Sequence, residues 1–156
     1  MRTLLFLFLL SGAAAAQDVP KAPLTQQLPR SVDGLPIGAI PKQELPETGC
    51  ATFLWTATQT RTLVAMLTSD PARIRFAPDG KVTDLVRTGQ TGPGDFGFLA
   101  HTDYAGGDLK VAVEMAIVRR GDLTQGALTD GATLTVTREG GDSVVVPVIG
   151  IIGCAS

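Results

Sequence analysis

The chain has 156 residues, 44% of them hydrophobic, which is enough for one folded domain and argues against disorder along its whole length. Thirteen Lys and Arg stand against 15 Asp and Glu, and the longest basic run is Arg119-Arg120, so the charge pattern excludes a typical nucleic-acid-binding surface. One His and two Cys are too few for a four-coordinate structural zinc site, and we expect neither a metal nor a cofactor.

Residues 1–16 have the pattern of a cleaved secretory signal. Arg2 precedes an unbroken apolar run at 4–10, and small residues then lead to Ala16 and Gln17. The apolar stretch is shorter than the roughly 20 residues of a membrane-spanning helix, so we interpret it as a signal and not as an anchor. The sequence therefore predicts a periplasmic or secreted protein, cleaved near Ala16/Gln17, with no transmembrane span after cleavage.

Residues 17–49 form a proline-rich leader or linker that we expect to be partly disordered. They contain six prolines and no aromatic residue. Proline removes backbone donors and biases the preceding residue toward extended conformations, which disfavours both helices and central strands. We expect disorder over 17–33 and leave open whether 34–49 pack on the domain, which we place at 50–156.

Beyond Cys50, apolar and polar residues alternate with the period of two that half-buried β-strands have. The clearest case is 109–118, where one face carries Leu109, Val111, Val113, Met115 and Ile117. Shorter alternating runs lie at 53–57, 72–76 and 133–137.

Two further segments, 63–67 and 144–152, are apolar on both faces. The first is typical of a strand that is covered on both sides. The second contains Pro147, which cannot donate a hydrogen bond to a neighbouring strand, so we expect it at a sheet edge or at a bulge.

Turn sequences join these runs into hairpins. Pro78-Asp79-Gly80 and the Gly140-Gly141 pair have the residues that tight turns require. We expect about seven or eight strands and no long helix, with 121–131 as the place for one short helical turn. The sequence predicts an all-β fold, a small antiparallel β-sandwich or barrel, and Pro147 slightly favours the sandwich because it indicates an edge.

The two cysteines, Cys50 and Cys154, are predicted to form a disulfide. Both lie beyond the signal, and export would place them in an oxidising compartment. One opens the first strand of the domain and the other closes the last, so the bond requires these two strands to be neighbours in space.

His101 and Asp103 are the residues most suggestive of catalysis. They are two apart, so on a strand they share a face, where an Asp can orient an imidazole. No serine lies in a G-x-S-x-G turn to act as the nucleophile. We therefore interpret His101 as a solvated residue, with a mononuclear metal site that includes Asp108 supported only by residue type.

Three other residues complete the set of candidate surface-site residues. Arg73 and Arg75 share one strand face, where they can form an anion-binding strip that Arg87 would extend, although the net negative charge favours an ordinary solvated face. Tyr104 lies near a glycine-rich stretch, where it serves either a binding surface or the core.

These observations predict a non-enzymatic exported β-domain, a binding or inhibitor-like module for an unidentified protein or envelope ligand. The alternatives are a structural envelope component and a small hydrolase centred on His101 and Asp103. A deep pocket in which His101 meets carboxylates would favour the enzyme, whereas a flat apolar patch would favour partner binding.

Overall fold

A computed structural model describes residues 27–155, which contain β-strands and no helix. The strands are β1 (Ile37–Gly38), β2 (Cys50–Thr56), β3 (Leu63–Ser69), β4 (Ala72–Pro78), β5 (Thr83–Asp95), β6 (Phe98–Gly106), β7 (Leu109–Val118), β8 (Gly126–Arg138) and β9 (Ser143–Cys154). The all-β prediction is confirmed. The predicted signal, its cleavage site and residues 17–26 of the leader lie outside the described residues.

The strands form a closed, eight-stranded antiparallel barrel with β1 as one additional strand. From β2 to β9, each strand pairs with its neighbours in sequence, and β2 pairs with β9 to complete the circle. The short β1 adds to the free end of β4, opposite Ala77 and Pro78. Of the two architectures that the sequence allows, the barrel is therefore correct and the slight preference for a sandwich is wrong.

Pro147 lies in the interior of the sheet and not at an edge. Its carbonyl accepts a hydrogen bond from the amide of Ala57 at 3.0 Å. The N–H and C=O of one residue in an antiparallel strand point to the same side. The side on which Pro147 lacks an N–H therefore faces the chain just beyond Thr56, the last residue of β2, where no ladder hydrogen bond is lost. The irregularity near Pro147 is in the partner strand, where the register of β8 shifts between Thr129 and Ala132.

The core fills the inside of the barrel with alternating residues from every wall. In β7 the odd-numbered residues from 109 to 115 are buried, as the alternation predicts. Direct cross-strand neighbours continue the same layer, since Thr102 lies opposite Val113, Val113 opposite Leu134, and Leu134 opposite Val146. The interior is therefore packed with side chains contributed by neighbouring strands.

β2 turns its aromatic residues outward. Thr52, Leu54 and Thr56 have no exposed surface and face the barrel interior, whereas Phe53 and Trp55 lie on the outer wall and are half-buried. The hydroxyls of Thr52 and Thr129 have no hydrogen-bond partner within the described residues.

The connections agree with the predicted turns except at one place. Asp79 and Gly80 both have positive φ angles, 50° and 78°, and form the predicted turn between β4 and β5. Gly140 also has a positive φ of 70° between β8 and β9. The helical turn expected within 121–131 is not formed, because the chain turns without a helix and β8 already begins at Gly126.

Part of the leader packs on the barrel. Val32 and Ile37 are buried in the main core, and Pro36 accepts a hydrogen bond from the amide of Asp79 at 3.0 Å. The expected disorder is therefore wrong at Val32. Ile40 then packs on the outer wall in a separate cluster with Ala51, Met66 and Ala77.

Cys50 and Cys154 form a disulfide, as predicted, and their Cα atoms are 3.9 Å apart. They lie directly opposite each other in the ladder between β2 and β9, so the first and last barrel strands are neighbours. Among residues 27–155 there is no helix with the length and apolar character to span a membrane.

Candidate functional site

His101 and Asp103 lie together on the outer wall of the barrel. The His101 Nε2 atom is 3.1 Å from Asp103 Oδ1, and its Nδ1 atom is 3.5 Å from Glu114 Oε1 on β7. Because the two carboxylates approach different ring nitrogens, they hold the imidazole from opposite sides and do not converge on one point in front of it. The arrangement orients an imidazole on an open surface.

The metal hypothesis is not supported by the position of Asp108. Its carboxylate accepts a hydrogen bond from Arg138 at 3.0 Å, and Arg138 also pairs with Asp79 at 2.8 Å. Asp108 thus belongs to an ion-pair network at the turns and not to the His101 cluster. Within residues 27–155, no group of three or more His, Cys, Asp or Glu side chains is arranged to hold a metal ion.

Tyr104 is not a surface residue, which corrects its place among the candidates. Its neighbours Asp103 and Ala105 face outward, so the alternation of β6 directs Tyr104 into the barrel, where it is 1% exposed. Burial raises the pKa of its hydroxyl, an effect that the charge of Arg87 partly offsets.

Arg73 and Arg75 lie on the outer wall as predicted, but Arg75 is already neutralised. Its Nε and Nη2 atoms donate to the two carboxylate oxygens of Asp84, both at 2.8 Å, and Nη1 donates to Gln43 at 3.1 Å. The bidentate hydrogen bonds raise the pKa of Arg75 and lower the pKa of Asp84.

Arg87 does not extend this strip. It lies opposite Tyr104 in the ladder between β5 and β6, so it faces the inside of the barrel, and it donates to the side chain of Gln90 at 3.0 Å. The groove beside Arg73 is also lined by the carboxylates of Glu44 and Asp84. The surface around Arg73 is therefore of mixed charge, which disfavours an anion site.

An apolar surface on the opposite side of the barrel from β5 is the strongest candidate site. We call it the outer apolar face, and it consists of Phe53, Trp55, Val118, Leu128, Ile149 and Ile151. Val118 lies opposite Leu128, Leu128 opposite Ile151, and Ile151 opposite Phe53, so one row crosses four adjacent strands. Val118 is 41% exposed and Ile151 is 47% exposed.

A second row and a groove extend this face. Trp55 lies opposite Ile149, and the rings of Trp55 and Phe53 have centroids 6.3 Å apart. A groove of about 440 Å³ runs along Trp55, Leu128, Ile149 and Ile151, with Arg61 at its margin. The groove is thus apolar along its walls and carries one positive charge.

Arg61 is held in place by the turn between β2 and β3. Asp33 in the leader accepts hydrogen bonds from the hydroxyls of Thr58 at 2.6 Å and Thr60 at 3.1 Å. Arg61 itself has a positive φ of 43°, which is uncommon for a residue other than glycine. Its guanidinium forms no ion pair or hydrogen bond with any side chain in the described part of the chain.

The sequence contained a signal for this face. Residues 144–152 are apolar on both sides, although one side of a barrel strand faces outward, whereas Pro147 alone predicts only a sheet edge or a bulge. The apolar outer side instead includes Ile149 and Ile151. Arg61 gave no such signal, because its position depends on the turn and on contacts with the leader.

No protein-family model matches the chain, and no curated protein or solved structure is significantly similar to it.

Proposed function

We propose that this protein is an exported, non-enzymatic binding module that docks onto an apolar surface of a partner protein through the outer apolar face. The observation that carries the proposal is the uninterrupted apolar row from Val118 to Phe53, in which Val118 and Ile151 are exposed and Leu128 and Phe53 are half-buried. Contiguous exposed apolar patches on soluble proteins commonly mark interaction sites. The face also holds the chain's single tryptophan, a residue type that is enriched where binding energy concentrates.

The charge of the face favours a protein over a lipid surface as its occupant. Peripheral membrane-binding surfaces combine exposed apolar residues with several Lys or Arg side chains, because anionic lipids attract them. The residues that line the groove include one cation, Arg61, and the whole chain has a formal net charge of −2. A protein surface with apolar side chains fits this face better than an anionic bilayer does.

Export is the second part of the proposal. The signal-like pattern of residues 1–16 supports it, and so does the disulfide, since such bonds persist mainly in oxidising compartments. The hydrolase alternative has less support, because both ring nitrogens of His101 face carboxylates on an open wall.

Photocrosslinking tests the docking face. A benzophenone amino acid replaces Val118 at the rim of the face, and in a control it replaces Val86, which is exposed on the opposite side of the barrel. We expect a discrete protein adduct in the native cells from position 118 and not from position 86. The adduct is identified by mass spectrometry, and the purified pair is titrated by Trp55 fluorescence. Ile151→Lys is expected to weaken binding by about tenfold or more, and Val86→Lys to leave it unchanged.

Other results would contradict the proposal. An adduct with twice the mass of the chain would identify a second copy as the occupant, an adduct with residues 17–26 would identify the leader, and a lipid adduct would identify a bilayer. Equal adducts from positions 118 and 86, or equal affinity of Ile151→Lys and the wild type, would show that the face does not bind a specific partner.

A further inference from the structure

We infer that Arg61 makes the outer apolar face selective for a partner segment that combines apolar side chains with a carboxylate. The inference rests on the proposed function, because it concerns the same face, and it adds the chemical class of the segment. The carboxylate of this segment would pair with the Arg61 guanidinium while its apolar side chains lie along Trp55 and Ile151.

The turn that carries Arg61 is fixed from several sides. Asp33 holds the hydroxyls of Thr58 and Thr60, and the Thr56 hydroxyl accepts a hydrogen bond from the Thr62 amide at 3.1 Å. These bonds tie the turn to both the leader and β2. A turn held in this way loses less backbone freedom on binding, which favours affinity, although the Arg61 side chain itself is ordered only by its partner.

The charge of Arg61 is not neutralised within residues 27–155, in contrast to two other arginines near the same strands. Arg119 pairs with Asp95, and Arg120 pairs with Asp122 at 3.0 Å. The carboxylate of Asp130, in the irregular part of β8, does not line the groove and accepts a hydrogen bond from the Gly131 amide at 2.9 Å.

The surroundings of Arg61 strengthen a pair with a bound carboxylate. The rest of the groove wall is mainly apolar, so an occupant would displace water around the pair. It consists of Trp55, Leu128, Thr129, Ile149, Gly150 and Ile151. Charge-assisted hydrogen bonds, above all bidentate pairs of Arg with a carboxylate, are among the stronger polar contacts. An acidic group at this point thus gives both affinity and orientation.

A selection experiment tests the inference with the intact protein. A phage-displayed library of random linear peptides is selected separately on the wild type, on Arg61→Glu and on Ile151→Lys. We expect wild-type peptides to combine apolar residues with Asp or Glu. Arg61→Glu should enrich Lys or Arg in place of the acidic residue, and Ile151→Lys should no longer retain the wild-type peptides.

An enriched peptide is then compared with its analogue in which Glu is replaced by Gln. The replacement should weaken binding to the wild type by about tenfold and have little effect on binding to Arg61→Gln, so that the two changes are not additive. Circular dichroism and thermal unfolding confirm that each variant is folded.

The outcomes separate the two proposals. Peptides that require Ile151 but show no acidic enrichment, or an unchanged preference with Arg61→Glu, would overturn the role of Arg61 and leave the docking face intact. A selection in which no enriched peptide requires Ile151 would contradict the docking face and the inference with it.

Discussion

Asp84 on β5 and Arg75 on β4 lie directly opposite each other and show how single residues act on the barrel wall. Their bidentate hydrogen bonds favour the ionised carboxylate and hold the pKa of Asp84 below its ordinary value, against the opposing effect of partial burial. Because both side chains are more than one-third exposed, water and salt weaken the pair.

Asp84→Asn should lower the free energy of unfolding at pH 7 by less than about 1 kcal/mol, because the pair is exposed. The stabilisation by Asp84 is present above the pKa of the unfolded carboxyl, about 3.9, and is lost as the pH falls through the lower folded pKa. The difference between variant and wild type should therefore disappear under acid conditions. Urea denaturation from pH 7 to about pH 2.5 measures it, with Asp142→Asn as the exposed control. A difference that persists at the lowest pH would contradict the assignment.

For the candidate site residues, the sequence predicts which side of a strand a side chain lies on but not which residue it contacts. Arg73 and Arg75 were correctly placed on one outer face, because residues two apart on a strand share a side. The neutralising partner of Arg75 is on another strand, and no local pattern reports it. The same limit applies to Arg61, whose turn depends on Asp33, a distant residue in the leader.

At the scale of elements, the leader is a part of the structure whose position the sequence did not predict. It has no periodicity because it is not a regular strand or helix over most of its length, so its buried residues, Val32 and the run 37–40, follow no repeating pattern. Val32 and Ile37 are buried because this segment packs against the turns at one end of the barrel, and Ile40 because it packs on the outer wall; both are tertiary effects.

Val32→Ala should lower the free energy of unfolding by about 1–3 kcal/mol, since it removes buried methyl groups and leaves a cavity. The matched control is Leu28→Ala in the same segment, where the side chain is 40% exposed and the expected change is within about 0.5 kcal/mol. Urea denaturation of the three proteins measures both effects. Equal stability of the two variants would show that the leader does not contribute to the core.

The strands themselves were predictable, because a period of two identifies them whatever they pack against. Which side faces inward was not always predictable. In β2, the alternation of Phe53 and Trp55 with Thr52 and Leu54 fits either orientation, and the structure buries the threonines. The orientation of β2 follows from its neighbour β9, whose outer side is apolar. The rings of Phe53 and Trp55 lie beside Ile151 and Ile149 on the outer wall.

At the scale of the whole molecule, the disulfide and the barrel are two aspects of one arrangement. Sequential hairpins form the wall, and the pairing of β2 with β9 closes it at Cys50 and Cys154. The sequence contained both parts, since the turns predicted hairpins and the cysteines predicted that the first and last strands are neighbours. Pro147 pointed to a sheet edge and hence to a sandwich, which is wrong. The side on which Pro147 has no N–H faces the chain just beyond Thr56, where β2 has ended, and the sequence does not show where β2 ends.

Replacing both cysteines by serine should lower the free energy of unfolding by up to about 4–5 kcal/mol. The bond joins residues 104 apart, and such a crosslink restricts the unfolded chain in proportion to the logarithm of the loop length. Thermal and urea unfolding of the oxidised protein and the double variant measure the effect, and circular dichroism verifies that the barrel is retained. A change below about 1 kcal/mol would show that the bond does not limit the unfolded chain in this way.

The ladder between β2 and β9 also has a consequence for the order of folding. All other pairings in the barrel are between strands that follow each other along the chain, whereas this one joins residues that are synthesised first and last in the domain. Long-range pairings form slowly, because a large loop must close before they gain contacts. While the chain is being synthesised, β2 lacks one of its two neighbours until residue 154 is available. For the export that we propose, this delay is useful, since the chain remains open and can be threaded through a membrane before the barrel closes.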